Sequence, residues 1–80
     1  MIVITSAEDL GRALRKYRKD KGLSQSQVGR KFNMTQKTIS NIEAGLPGVQ
    51  LGTLFRLMAA LDLEMHLSPR NQAANDKALW

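Results

Sequence analysis

The twenty residues from Gln25 to Ala44 constrain the fold of this chain more than any other stretch. They read QSQVGRKFNMTQKTISNIEA. Ser24 and Gln27, three residues apart, form a reciprocal capping pair at the start of a helix. The Ser24 hydroxyl accepts a backbone N–H of the first turn, and the Gln27 side chain accepts the backbone N–H of Ser24. We expect the first helix to end at Asn33, since asparagine tolerates the left-handed conformation. The stretch therefore predicts a helix, a tight turn and a second helix.

The second helix is predicted to begin after the cap residue Thr35 and to end at Gly45. Apolar residues at 28, 32, 34, 39 and 42 occupy the buried side of the pair, and Gly29 is small enough to let another helix approach closely. The first two turns of the second helix leave four hydrogen-bonding side chains pointing outward: Gln36, Lys37, Ser40 and Asn41. The alternative is an ordinary helix pair with a solvated polar face.

The basic residues of the chain are concentrated around this pair of helices. Between Arg12 and Lys37 there are nine basic residues and one acid, a local charge of +8, whereas the whole chain of 80 residues carries +5. A positive surface of this kind is what a polyphosphate partner requires. A merely solvated basic face remains the alternative. An anionic membrane is a poorer fit, because the predicted helix from Ala7 to Lys21 lacks a bulky aromatic face.

Length and composition exclude several classes of protein. The chain contains no cysteine, which removes disulfides and thiolate zinc sites as sources of stability. The apolar start, Met1 to Thr5, is too short for a secretory signal, and no apolar run could cross a bilayer, so we expect a cytoplasmic protein. His66, the only histidine, has no spaced ligand companions and is interpreted as structural or solvent-facing. We expect no metal, no cofactor and no enzymatic activity.

The rest of the chain predicts an all-α bundle of four to five helices. Ser6 caps the helix predicted from Ala7 to Lys21, and Gly22 ends it. Leu46, Pro47 and Gly48 form a connector. Ile2, Val3 and Ile4 could form a short extended strand. A further helix carries the apolar residues Leu51, Leu54, Phe55, Leu57, Met58 and Leu61. Leu57 widens this stripe beyond what a small monomer needs and is interpreted as dimer surface, with purely intramolecular packing as the alternative.

From Leu61 to Leu67 the apolar period changes from helical spacing to two, which predicts one short strand. A single strand leaves its backbone groups unpaired, so it must meet either Ile2 to Ile4 or its own copy in a second subunit. The second option gives an intersubunit two-stranded lid in a homodimer, with Leu63, Met65 and Leu67 as dimer contacts. A chain of this size buries only about 60% of its unfolded surface, which independently favours a dimer.

Residues 1–67 are therefore predicted to form one domain for DNA binding and dimerisation. Residues 68–80 are polar and small, and we expect a disordered tail. Leu79 and Trp80 end it. A tryptophan with no core to join is interpreted as an anchor for another protein, because one buried aromatic side chain removes roughly 150 to 250 Å² from water. An unused tryptophan, or a tail that folds back onto its domain, are the alternatives.

Across its twenty positions, the spacing of apolar, small and polar residues from Gln25 to Ala44 resembles the helix-turn-helix of the phage-repressor and Cro-like family. Asn33 is the one departure, since that family usually has glycine there, and both residues can adopt positive φ. The whole chain resembles the HipB-type antitoxins of type II toxin-antitoxin systems. The matching features run in the same order: the helix-turn-helix, LFRLMAAL, LDLEMHL and a polar tail that ends in tryptophan.

The HipB-type resemblance implies a bacterial homodimer that represses its own operon at a palindromic operator and binds a HipA-like serine/threonine kinase toxin directly. The implied DNA-binding residues are Gln25, Thr35, Gln36, Lys37, Thr38, Ser40 and Asn41, and the implied toxin-binding residues are Leu79 and Trp80. Among them Thr35 is the cap, Ser40 is expected to hold a phosphate, and Gln25 is expected to grip the backbone and brace Gln36. Lys37 departs from the small residue of some family members, so the base sequence does not transfer.

Two other functions remain open at this stage. The first is a stand-alone repressor without a toxin partner, which would bind DNA in the same way but would have no binding function for its tail. A pure protein-interaction module would not bind its own promoter sequence-specifically.

Overall fold

Four α-helices form the regular secondary structure of the computed structural model, which describes residues 2–70. They are α1 (Ala7–Asp20), α2 (Gln25–Phe32), α3 (Gln36–Glu43) and α4 (Leu51–Ala60). The predicted all-α class is confirmed. The helix α1 ends one residue earlier than expected, because Lys21 is its C-cap and Gly22 turns the chain with a φ of 71°.

Local hydrogen bonds explain why the helices begin and end at these residues. Ser6 accepts the backbone N–H of Asp9, and Ser24 and Gln27 form the reciprocal cap that the sequence predicts. A hydrogen bond from the Thr5 backbone N–H is the main cause that lowers the pKa of Asp9. Asn33 ends α2 in the left-handed conformation with a φ of 58°. The predicted turn of the helix-turn-helix is thus confirmed at both of its ends.

The core lies where α1, α2, α3 and α4 face one another. Its fully buried side chains come from all of these helices and the residue that follows α4: Leu14, Val28, Ile39, Leu57 and Leu61. Leu10, Phe32 and Met34 pack against this cluster from its edge. Burial of apolar area of this kind is the main favourable term in the folding of so small a chain.

Three glycines allow the backbone of neighbouring segments to approach more closely than a side chain would permit. A Cβ on Gly29 would lie 2.5 Å from the carbonyl oxygen of Met34, and one on Gly11 would lie 2.6 Å from that of Ile42. Gly45, with a φ of 75°, lies against the backbone of Glu8, where a Cβ would come within 2.7 Å of its Cα. The backbone at the end of α3 is therefore in direct contact with α1.

The interpretation of Leu57 as dimer surface is wrong. Its side chain has no exposed area and belongs to the intramolecular core, so the wide apolar stripe of α4 is used within one chain. The exposed large apolar residues of α4 are instead Leu51 and Phe55. The reason is geometric: Leu57 lies three residues from Leu54 and four from Leu61, which places all three on the buried side.

Residues 2–70 contain no strand. Leu61 and Asp62 form a turn after α4, and the segment that follows from Leu63 has no regular secondary structure. Leu63 donates its backbone N–H to Met58, and no backbone-to-backbone hydrogen bond is made by residues 2–4 or 64–70 within the described part of the chain. Pairing within one chain is therefore not seen, and the intersubunit lid stays a prediction.

The predicted tail falls mostly beyond this region. Residues 71–80, with the two proposed toxin-binding residues Leu79 and Trp80, lie outside the described residues.

Candidate nucleic-acid interface

The helix α3 presents its first two turns to solvent while its other side is buried. Gln36, Lys37 and Ser40 are exposed, whereas Ile39 and Ile42 are buried in the core. The side chain of Thr35 accepts the N–H of Thr38 at 3.1 Å and so fixes the start of the helix. The expected outward-facing polar surface is present for these three residues.

One side of this surface borders an open cleft of about 460 Å³, which we call the α1–α3 cleft. Gln36 and Ser40 line it, one helical turn apart, and Ser26 and Arg15 line it from α2 and α1. An exposed arginine beside two hydrogen-bonding side chains gives the cleft a positive and polar surface. Such a surface matches the phosphate oxygens and base edges of duplex DNA.

Ser26, rather than Gln25, contacts the first residue of α3. Its hydroxyl donates to Gln36 Oε1 at 3.0 Å and holds the amide at the edge of the cleft. Gln25 Nε2 instead donates to Glu43 Oε1 at 3.1 Å, and its side chain is half-buried. The expectation that Gln25 braces Gln36 is therefore wrong, because the Glu43 carboxylate is a stronger acceptor within its reach.

The other side of α3 borders a second concavity of about 190 Å³. Thr38 and Asn41 line it together with Gln50 and Thr53 from the start of α4. Both α3 residues are half-buried, so Asn41 does not point fully outward as the sequence predicts. The exposed ridge between the two concavities carries Lys37.

A buried ion pair connects α1 to the end of α3. Arg18 Nε donates to Glu43 Oε2 at 2.6 Å, and a second nitrogen of the same guanidinium donates to Oε1 at 3.0 Å. The third nitrogen donates to the carbonyl of Leu23 at 2.7 Å. Both side chains are almost completely buried. This bidentate pair is a strong polar contact between α1 and α3, because its hydrogen bonds are charge-assisted and lie away from water.

Ion pairing reduces the number of basic side chains that are available to a partner. Besides Arg18, three of the nine basic residues between 12 and 37 pair with acids: Arg12 with Asp9, Lys16 with Asp20 and Lys21 with Asp62. The hydrogen bond to Asp20 raises the pKa of Lys16. Within residues 2–70, five have no acid within ion-pair distance: Arg15, Lys19, Arg30, Lys31 and Lys37.

Sequence reasoning missed Ser26, Arg15 and the Arg18–Glu43 pair. A signal for the pair exists, because Leu10, Leu14 and Arg18 continue one apolar row at four-residue spacing. Glu43 likewise follows the buried Ile39 by four residues. Opposite charges at the ends of two apolar rows indicate a buried pair. No such periodic signal marks Ser26 or Arg15.

The described residues show neither a metal site nor a membrane span. No group of three or more potential ligand side chains is found among them. No helix of this part of the chain is long and apolar enough to cross a bilayer.

The fold and the exposed α3 surface define a helix-turn-helix protein, and comparison with known proteins agrees. Residues 14–67 match the family described as Helix-turn-helix, HTH_3. The antitoxin HipB of Escherichia coli O6:H1 (strain CFT073) is 32% identical over 75 residues, which span 94% of this chain and 80% of that protein.

Solved structures give the same result. A HipA-HipB-O2-O3 complex contains a chain that is 32% identical, with a TM-score of 0.79 over 86% of this chain and 97% of that one. The restriction-modification controller protein C.AhdI from Aeromonas hydrophila is 31% identical, with a TM-score of 0.66 over 72% of this chain and 84% of that one. The chain belongs to the HipB family of helix-turn-helix, DNA-binding antitoxins.

Proposed function

We propose that this chain is a homodimeric, sequence-specific repressor of its own operon and the antitoxin of a HipA-like serine/threonine kinase toxin in the bacterial cytoplasm. The observation that carries the DNA-binding part is the exposed surface of α3, where Gln36, Lys37 and Ser40 lie beside the positive α1–α3 cleft. The similar solved structures support it, since they include a HipB-O4 20mer complex and a HipA-HipB-O2-O3 complex.

The exposed α3 side chains suit the major groove. A glutamine amide pairs with the donor and acceptor of adenine, and a lysine ammonium donates to the two acceptors of guanine. The Ser26 hydroxyl fixes the orientation of the Gln36 amide, so less rotational freedom is lost when the base is contacted. Ser40 and Gln25 are assigned to phosphates, and Thr38 and Asn41 border the second concavity, where the sugar-phosphate backbone would pass.

A homodimer places two α3 helices on one face of the duplex. Helix-turn-helix dimers contact half-sites about 34 Å or a multiple of this distance apart, so the operator is expected to be palindromic. Dimerisation is assigned to Leu63, Met65 and Leu67, because these apolar residues follow α4 and residues 64–70 make no backbone-to-backbone hydrogen bond within the described part of the chain.

The DNA-reading part is tested with Gln36→Ala and two duplexes. One duplex comes from the region upstream of the protein's own gene, and the other is a scrambled sequence of the same composition. The substitution is expected to weaken binding to the first by about 1 to 3 kcal/mol and to leave binding to the second unchanged, because base contacts carry specificity. Circular dichroism checks that the variant folds. Equal binding of variant and parent to the upstream duplex excludes Gln36 as a reading residue.

The toxin-binding part rests on the last two residues, Leu79 and Trp80, which lie outside the described residues. Deleting them is expected to weaken co-purification with the kinase and to leave operator binding nearly unchanged, because the DNA surface lies on α3. Full retention of kinase binding after the deletion would exclude the anchor. The kinase is assayed with and without the antitoxin to measure neutralisation.

A stand-alone transcriptional regulator is the second candidate. The similarity to a restriction-modification controller protein favours it, since that protein shares the fold at comparable identity. The two candidates differ in one observable property: only the antitoxin retains a kinase when it is purified from its native cell at high salt.

A further inference from the structure

A side chain from α4 holds the turn that joins α2 to α3. Arg56 donates one guanidinium nitrogen to the carbonyl oxygens of Phe32 and Asn33, at 2.9 and 3.2 Å. These are the last residue of α2 and its C-cap, so their carbonyls lie where a helix lacks partners of its own. A cation at this end of a helix also interacts favourably with the helix dipole. Arg56 therefore caps α2 from a position 23 residues beyond Asn33.

The capped turn leads directly into the proposed DNA-reading surface. Met34 in this turn donates its backbone N–H to the Gly29 carbonyl at 2.9 Å. Thr35 comes next and caps α3, where Gln36 and Lys37 are exposed. Only this short stretch of backbone separates the capped carbonyls from the side chains that would contact base edges. A displacement of the turn therefore changes the direction in which α3 begins.

The contribution of Arg56 to this turn is its hydrogen bonds rather than its charge. Within residues 2–70, no carboxylate lies within ion-pair distance of Arg56. Arg30 and Lys31 already supply positive charge in the last turn of α2, yet the donor to both carbonyls is Arg56. Hydrogen bonds from a charged donor are stronger than those between neutral groups, and these two join α4 to the turn.

We propose that Arg56 is a positioning residue for operator recognition, which fixes the direction of the first turn of α3 through the carbonyls of Phe32 and Asn33. The proposal rests on the DNA-reading role of α3 in the proposed function and identifies a residue that supports it from α4. Side chains of a binding site must be held within about 0.5 Å of the productive geometry by the residues around them. Loss of Arg56 is therefore expected to impair discrimination between DNA sequences.

Arg56→Met tests this role, because it removes both hydrogen bonds and keeps a long side chain. Dissociation constants are measured for the upstream duplex and for the scrambled duplex of the same composition. The ratio of the scrambled to the upstream constant is expected to fall by about fivefold or more, since one good base contact contributes at least this much discrimination. Partial unfolding or loss of a phosphate contact weakens binding to both duplexes by the same factor, so neither alters the ratio.

Two further variants separate the hydrogen bonds from the charge. Arg30→Met is the matched control, because the same substitution removes the same charge at the same end of α2. It is expected to leave the ratio unchanged. Arg56→Lys retains a cationic donor and is expected to recover part of the ratio that Arg56→Met loses.

Three results would overturn the positioning role of Arg56. They are a ratio for Arg56→Met equal to that of the parent, an equal fall for Arg30→Met, and no recovery in Arg56→Lys. An unchanged ratio with a salt slope reduced by about 0.9 per protomer would show that Arg56 contacts a phosphate instead. In each of these cases the parent still prefers the upstream duplex, so the proposed function stands. A parent that binds both duplexes equally overturns the proposed function and this proposal together.

Discussion

At the scale of single residues, the contact between Arg18 and Glu43 shows how a charge pair can replace apolar packing. Both side chains continue apolar helical rows into the interior, and each polar atom of the pair finds a partner, since no buried side-chain nitrogen or oxygen among the described residues lacks one. Such a pair is costly to break, because the remaining charge stays buried without compensation.

We therefore expect Arg18→Ala to destabilise the fold by about 3 to 5 kcal/mol, as measured by urea unfolding. Lys16→Ala is the matched control on the same helix, because the Lys16–Asp20 pair is exposed and screened by solvent. Its unfolding midpoint should stay close to that of the parent. Arg18→Met combined with Glu43→Leu should recover most of the lost stability. Equal effects of Arg18→Ala and Lys16→Ala would contradict a structural role for the buried pair.

At the scale of helices, close approach at glycine holds α2 and α3 together. A Cβ on Gly29 would meet the Met34 carbonyl, which belongs to the backbone of the turn and cannot move independently. Gly52 lies in α4 with no atom within 4 Å of its Cβ position. Gly29 and Gly52 therefore differ in one respect: a Cβ would clash with backbone at Gly29 and would meet no atom at Gly52.

Gly29→Ala is expected to destabilise the protein by about 1 to 3 kcal/mol through overpacking. Gly52→Ala is expected to stabilise it by roughly 0.5 to 1 kcal/mol, because alanine loses less backbone entropy in a helix. Thermal and urea unfolding measure both changes. Opposite signs are the essential result, and two changes of the same sign would show that the tight contact at Gly29 relaxes freely.

Local sequence signals predict the helices well and their side-chain contacts less well. The caps at Ser24 and Thr35 and the turn at Asn33 are fixed by neighbours within four residues, so the sequence reveals them directly. The partner of Gln36 and the burial of Leu57 depend on how helices pack, which is set by residues distant in the chain. For this reason the positions of the exposed α3 residues were predictable, whereas the side chains that support them were not.

At the scale of the whole molecule, two cations without an acid in ion-pair distance belong to the α3 surface: Arg15 at the α1–α3 cleft and Lys37 on α3 itself. Arg15 lines the α1–α3 cleft, whereas Arg12 is paired with Asp9 and lines a different concavity with Ile2 and Lys16. The two arginines lie three residues apart on the same helix and therefore form a matched pair.

Arg15→Ala is expected to reduce the slope of log affinity for operator DNA against log salt concentration by about 0.9 for each protomer, the value for one phosphate contact. Arg12→Ala should leave the slope unchanged. Titrations at several salt concentrations, with the upstream and scrambled duplexes, measure both slopes. If the two substitutions change the slope equally, the effect of Arg15 is one of net charge and not of its place in the cleft.

The close contacts between α1 and the end of α3 have a consequence for evolution of the operator sequence. Gly11 and Arg18 contact the last turn of α3, and Glu8 contacts Gly45, two residues after its end, whereas Lys37 is exposed in the first turn. If this surface reads base pairs, as proposed, substitutions at Lys37 change the preferred sequence without altering the contacts that hold the end of the helix. On that proposal, a change in one or two codons is sufficient for a new operator preference, while the contacts between α1 and α3 are unchanged.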